Sequence, residues 1–109
     1  MMQDALESLY AVVSDRKANP QEGSYTCYLF EKGLDKILKK CGEECAETII
    51  AAKNHDPEEL KNEISDLLYH LTVLMVNEGL PLSAVEEELT ARSQKIGNLK
   101  QFHVSDHNT

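Results

Sequence analysis

Glu43-Glu44-Cys45-Ala46-Glu47 and, further along, Glu63-Ile64-Ser65-Asp66 set carboxylates at intervals of three. On a helix, residues three apart differ by about 60° around the axis, so Glu44 points with Glu47 and Glu63 with Asp66. Like charges so placed destabilise an isolated helix by roughly 0.2–0.5 kcal/mol per pair. A divalent cation converts that repulsion into binding. Mg²⁺ takes hard oxygen ligands, usually one or two carboxylates with waters and substrate phosphates. Glu44, Glu47, Glu63 and Asp66 could hold one or two such ions and leave positions open for a polyphosphate. The same spacing also occurs on solvated helix faces, so spacing alone leaves a metal site and an acidic surface both open.

Other side chains bear on the choice. Each acidic pair lies on the order of 110–130° from its helix's main apolar stripe, which gives these helices one greasy and one acidic face. His70 and Val73 share the angle of Glu63 and Asp66, and Ala51 lies near that of Glu44, so the acidic face reads as a partly enclosed site. Lys36 and Lys40 fall near it, with Lys39 and Lys32 close by. Ammonium groups suit phosphate oxygens, although Lys39 with Glu43 and Lys40 with Glu44 would also serve as ion pairs along the helix. Glu43 or Glu47 could take a proton from an attacking water, and the sequence does not choose between them. His70 reads either as a substrate contact or as a satisfied buried histidine; His103 and His107 read as solvent-exposed.

Four helical segments must position these groups. Leu6, Leu9, Tyr10 and Val13 mark the first, which fails by Ala18-Asn19-Pro20. The second begins near Ser24, a plausible N-cap, and runs to about Asn54 with Gly33 as a break. Its apolar stripe is Leu34, Ile37, Leu38, Cys41, Cys45, Ile49 and Ala52. Asp56-Pro57-Glu58-Glu59 is a start signal: Asp56 caps, Pro57 takes the first helical position and Glu59 completes a capping box. The third helix runs to about Glu78, with Leu60, Ile64, Leu67, Leu68, Leu71, Leu74 and Met75 facing a core, and stops at Gly79 and Pro81. A last helix is expected from Ser83 to near Gly97. The segment from 98 to 109 has no period and is expected to be a loose tail, leaving 1–97 as the folded domain. With no period-two alternation, the fold class is all-α, an antiparallel bundle of about four helices in which the second and third form a hairpin.

Bulk properties narrow the functions. The 109 residues carry 11 Lys and Arg against 19 Asp and Glu, a formal net charge of −8. That argues against non-specific nucleic-acid binding, which depends on a basic surface, but not against a small anion held through a cation. No apolar run approaches the roughly 20 residues of a membrane span. The first residues do not resemble a secretory signal, so the expected compartment is the cytoplasm. Cys27, Cys41 and Cys45 lack the second ligand pair of a zinc site and read as small buried packing residues. Glu-x-x-His pairs of a di-iron bundle are missing as well. Wide apolar faces on the second and third helices favour burial against a second copy.

Ser24-Tyr25-Thr26, Leu29-Phe30-Glu31-Lys32-Gly33, Lys39-Lys40 with Gly42-Glu43-Glu44 and Glu47, Ala51-Ala52-Lys53-Asn54, and Glu63 with Asp66-Leu67-Leu68-Tyr69-His70 together resemble the phosphoribosyl-ATP pyrophosphohydrolases. The resemblance covers roughly residues 4 to 97. The acidic core alone would indicate only the wider all-α nucleoside triphosphate pyrophosphatases. It implies hydrolysis of 1-(5-phosphoribosyl)-ATP to the AMP derivative and pyrophosphate, the second step of histidine biosynthesis, in the cytoplasm and with Mg²⁺. It further implies Glu44, Glu47, Glu63 and Asp66 as metal ligands, a less defined part for Glu43, and a homodimer whose helices complete a bundle. Lys39, Lys40 and Lys36 would then steady phosphates, and Tyr25 and Thr26 would meet the ribosyl or base end. A monofunctional chain without the cyclohydrolase module of some relatives is expected. Two rivals remain at this level: a house-cleaning pyrophosphatase for dUTP or dCTP, and a non-enzymatic helical dimerisation module.

Overall fold

The computed structural model describes residues 2–95, with side chains from Ala5 onward. It holds five helices: α1 (Met2–Ala18), α2 (Tyr25–Lys32), α3 (Leu34–Lys53), α4 (Pro57–Asn77) and α5 (Leu82–Lys95). The described residues contain no strand. The expected tail, the helix end near Gly97, and His103 and His107 lie outside the described residues.

Local chemistry accounts for the boundaries. Ser24 caps α2 by accepting the Cys27 N–H at 3.1 Å. The long second segment of the sequence is two helices, because Gly33 adopts φ 93° and turns the axis between Lys32 and Leu34. Asp56 caps α4 by accepting the Glu59 N–H at 3.1 Å, with Pro57 in the first turn. The capping box is only half formed: the Asp56 N–H donates to the Ala51 carbonyl, not to Glu59. Gly79, at φ 72°, ends α4 as expected. α5 starts at Leu82 and not at a Ser83 cap; the Ala84 N–H already donates to Pro81, which puts Ser83 inside the first turn.

α3 and α4 form the main packing unit, with α1 and α2 laid across them. Glu44 meets Glu63 and Asp66, whereas Ala51 and Asn54 meet Asp56 and Glu59, so the two helices run antiparallel. Val13, Leu29, Ile37, Cys41, Val73 and Val76 make the core, and Tyr10 ties α1 to the α4–α5 turn by donating to the Leu80 carbonyl at 2.8 Å. α5 packs little against the rest.

The apolar stripes do not all face that core. On α4 the buried residues are Glu63, His70, Thr72, Val73 and Val76, while Ile64 and Leu71 are exposed and Leu60, Leu67, Leu68, Leu74 and Met75 only half-buried. On α3, Leu34, Leu38, Cys45 and Ile49 are exposed, Ile49 at 64%. Of these two expected stripes, Ile37, Cys41 and Leu74 do meet the core, while the rest lies open or half-open. Of the cysteines only Cys41 is buried; Cys45 sits on this open face and Cys27 is half-buried. Among the described residues, no helix is long and apolar enough to cross a membrane.

Candidate active site

The α3–α4 seam buries acids as well as carbon. Glu44 and Glu63 are 6% and 8% exposed, and one oxygen each of Glu44, Glu63 and Asp66 lies within 4.8 Å of the other two. Asp66 faces solvent. Glu47 is exposed at the rim, near enough for its carboxylate to raise both Glu44 and Glu63. Of the four carboxylates singled out in the sequence, three therefore converge on one point and the fourth adjoins it.

Crowding shows in the electrostatics. Burial, then the Glu47 carboxylate, Glu44 and Glu59, push the Glu63 carboxyl up to about 7. Glu44 is also raised, by burial first and then by Glu47 and Asp66, while His70 pulls it back. Glu44 Oε2 is buried and has no hydrogen-bond partner among the described residues. A buried carboxylate oxygen left unpaired is costly, and a hard cation would supply the partner. Oxygens within 4.8 Å of one another can share an ion whose bonds are about 2.1 Å. The donor set, all carboxylate oxygen, suits Mg²⁺ and not a soft metal.

Positive charge stands on the α2-facing side. Lys40 Nζ lies 3.2 Å from Glu43 and 4.0 Å from Glu44. The Glu43 hydrogen bond is the main reason the Lys40 ammonium is held above its ordinary pKa. Glu43 is thus engaged by Lys40 and lies outside the three converging acids. Lys36, one turn back, rests over the Tyr28 ring. Lys39 is exposed and turned about 140° from Glu44 around α3; the fold does not bring it to the cluster.

His70 is buried and fully satisfied. Its Nδ1 lies 2.8 Å from the Asp66 carbonyl, which can only accept, so Nδ1 carries the proton. In the neutral ring Nε2 then accepts from the Tyr25 hydroxyl at 3.0 Å. Tyr25 stacks on Tyr28 and Tyr69, and Thr26 is hydrogen-bonded to Tyr69. α2 is therefore joined through Tyr25 and His70 to the backbone of the acidic cluster. Beyond the acids, a cleft of about 130 Å³ is lined by Glu47, Ala51, Asn54, Asp56, Glu59 and Glu63. Tyr28 and Tyr69 give no periodic signal in the sequence, because one aromatic lies on the short helix α2 and the other singly on α4.

Fold and site together define the class: an all-α protein with a buried carboxylate cluster suited to a hard divalent cation, flanked by a lysine placed for an anion. The family model for phosphoribosyl-ATP pyrophosphohydrolase matches residues 6–93, and the chain belongs to that family. Proteins named phosphoribosyl-ATP pyrophosphatase are similar over most of its length. That of Clostridium botulinum (strain Kyoto / Type A2) is 59% identical over 97 residues, covering 89% of this chain and 88% of the relative. The Limosilactobacillus fermentum protein is 60% identical over 99 residues, 91% and 92% of the two chains. The Streptococcus thermophilus protein is 56% identical over 94 residues, 86% and 90%.

Proposed function

We propose that this chain hydrolyses 1-(5-phosphoribosyl)-ATP to 1-(5-phosphoribosyl)-AMP and pyrophosphate, as a cytoplasmic enzyme of histidine biosynthesis. The convergence of Glu44, Glu63 and Asp66 around the unpaired Glu44 Oε2 carries the chemical half of this reading. Membership of the family supports the substrate.

Glu44, Glu63 and Asp66, with Glu47 at the rim, would hold Mg²⁺. When bound, that ion supplies neutralisation of triphosphate charge and polarisation of the phosphorus. Lys40, kept charged by Glu43, offers its ammonium to a phosphate oxygen at the edge of the cluster. Glu47 takes the role of base: it is solvent-accessible, adjoins the three acids and is free of the lysine that engages Glu43. Tyr25 and Thr26, anchored through His70 and Tyr69, bound the site on the side of the sugar and base. The exposed apolar residues of α3 and α4 support a homodimer in which a second copy covers them. A purely structural module would have no use for two buried acids in its main helix seam.

The test is incubation of the chain with phosphoribosyl-ATP and Mg²⁺, reading pyrophosphate against orthophosphate. Pyrophosphate release that stops on chelation is the expected result. Preference for dUTP or dCTP over phosphoribosyl-ATP would overturn the substrate assignment.

A further inference from the structure

Lys32 closes α2 and Lys36 opens α3, yet both side chains converge on one ring. Their ammonium nitrogens lie 5.8 and 6.0 Å from the centroid of Tyr28, within cation–π range. Neither lysine has a carboxylate within ion-pair distance among the described residues, although the chain carries 19 acids against 11 bases. Two ammonium groups thus share one ring, whose face supplies only a weak negative potential to each. Tyr28 is 39% exposed, so the assembly is open to solvent. What it lacks is an anion.

Its place relative to the acids is fixed. Tyr28 stacks on Tyr25 at 6.0 Å with 25° between the rings, Tyr25 is bonded to His70, and His70 to the Asp66 carbonyl. Along α3, Lys36 lies eight residues before Glu44, about 12 Å at 1.5 Å per residue. Tyr28 and Tyr25 are both exposed, and the Tyr25 hydroxyl feels the charges of Lys40 and Glu44, so the surface runs from the cations across two stacked tyrosines toward the carboxylate cluster. A substrate with a polyphosphate at one end, a base in the middle and a phosphate monoester at the other matches that order.

We propose that Lys32, Lys36 and Tyr28 form the subsite for the phosphate of the substrate's phosphoribosyl arm, and that this subsite separates phosphoribosyl-ATP from unmodified nucleoside triphosphates. The inference rests on the substrate reading given above. The monoester, at about −2 near neutral pH, offers oxygens to both ammonium groups. The arm's ribose and the adjoining edge of the base pack on the tyrosine faces.

The test is steady-state kinetics of the full chain with Mg²⁺ on two substrates: phosphoribosyl-ATP, and the analogue carrying a hydroxyl in place of the arm's phosphate. The double variant Lys32→Gln, Lys36→Gln should raise KM for phosphoribosyl-ATP about 10- to 100-fold, the range of charge-assisted hydrogen bonds, with little change in kcat. On the analogue, wild type and variant should have the same KM. Lys32→Arg with Lys36→Arg should restore KM, which a folding defect would not allow. An unchanged KM for phosphoribosyl-ATP, or equal losses on both substrates, overturns the subsite while leaving the activity standing. Wild-type chain that leaves phosphoribosyl-ATP intact overturns the substrate reading, and the subsite with it.

Discussion

Replacing Glu44 by Gln should stabilise the metal-free protein while abolishing its activity. Glu44 is buried, and one of its oxygens lies within 4.8 Å of oxygens on Glu63 and Asp66. Coulomb repulsion at that distance is about 3.5 kcal/mol at an effective dielectric of 20. Exposure of Asp66 and the solvent beside Glu47 screen it, leaving on the order of 1 kcal/mol. The carboxamide removes the charge and puts an N–H donor among acceptor oxygens, relieving the unpaired Oε2. For a domain of this size, 1 kcal/mol corresponds to roughly 4–8 °C in Tm. In EDTA, Glu44→Gln should melt about that much above wild type at the same protein concentration. With Mg²⁺ the order reverses. An ion at about 100 times its dissociation constant adds about 2.7 kcal/mol to wild type, and the variant, short of one ligand, should gain little. Pyrophosphate release should fall to background. Scanning calorimetry with and without Mg²⁺ decides the matter: a variant that melts below wild type in EDTA, or that keeps the full Mg²⁺ shift, would remove Glu44 from the metal site.

Three other outcomes follow from the same geometry. The raised Glu63 carboxyl makes the folded chain hold a proton between its ordinary value of 4.5 and about 7. Metal-free stability attributable to it is therefore complete below 4.5 and lost as pH rises through about 7; melts in EDTA at pH 5 and pH 8 should show the fall, and Glu63→Gln should flatten it. Leu29 is fully buried in the core, so Leu29→Ala should cost about 2–5 kcal/mol in urea unfolding, with no change in the form of the Mg²⁺ dependence. Ile64→Lys with Leu71→Lys places charge on the open face of α4 and should yield monomers in sedimentation, whereas a wild type that is itself monomeric would remove the dimer from the proposed assembly.

The acidic cluster was legible in the sequence because its members are local pairs. Spacing of three fixes which carboxylates share a helix face, and the Asp56-Pro57 start signal fixes how the two helices meet. The break at Gly33 was equally visible, since a positive φ there is cheap only for glycine. Lys32 and Lys36 stood out as cations near the acids, but their meeting over Tyr28 did not, because it depends on the angle between α2 and α3, which that glycine sets. The α4 stripe misled for a different reason: periodicity reports that a face is apolar, not which partner covers it. Leu60, Ile64 and Leu71 recur at helical spacing, yet the helix buries Glu63, His70, Thr72, Val73 and Val76.

That inversion has a physical logic. Two acids can sit in the seam only if the helix presents to its own partner the face that carries them. The greasier face is then left outward, where exposure is unfavourable by about 25 cal/mol per Å² until something covers it. A second copy of the chain offers the same apolar stripe and can offset that cost without entering the site. The buried carboxylates and the open apolar face are thus two consequences of one choice of helix rotation. A substitution that turned α4 toward its apolar stripe would favour the isolated protomer and scatter Glu63 and Asp66 away from Glu44.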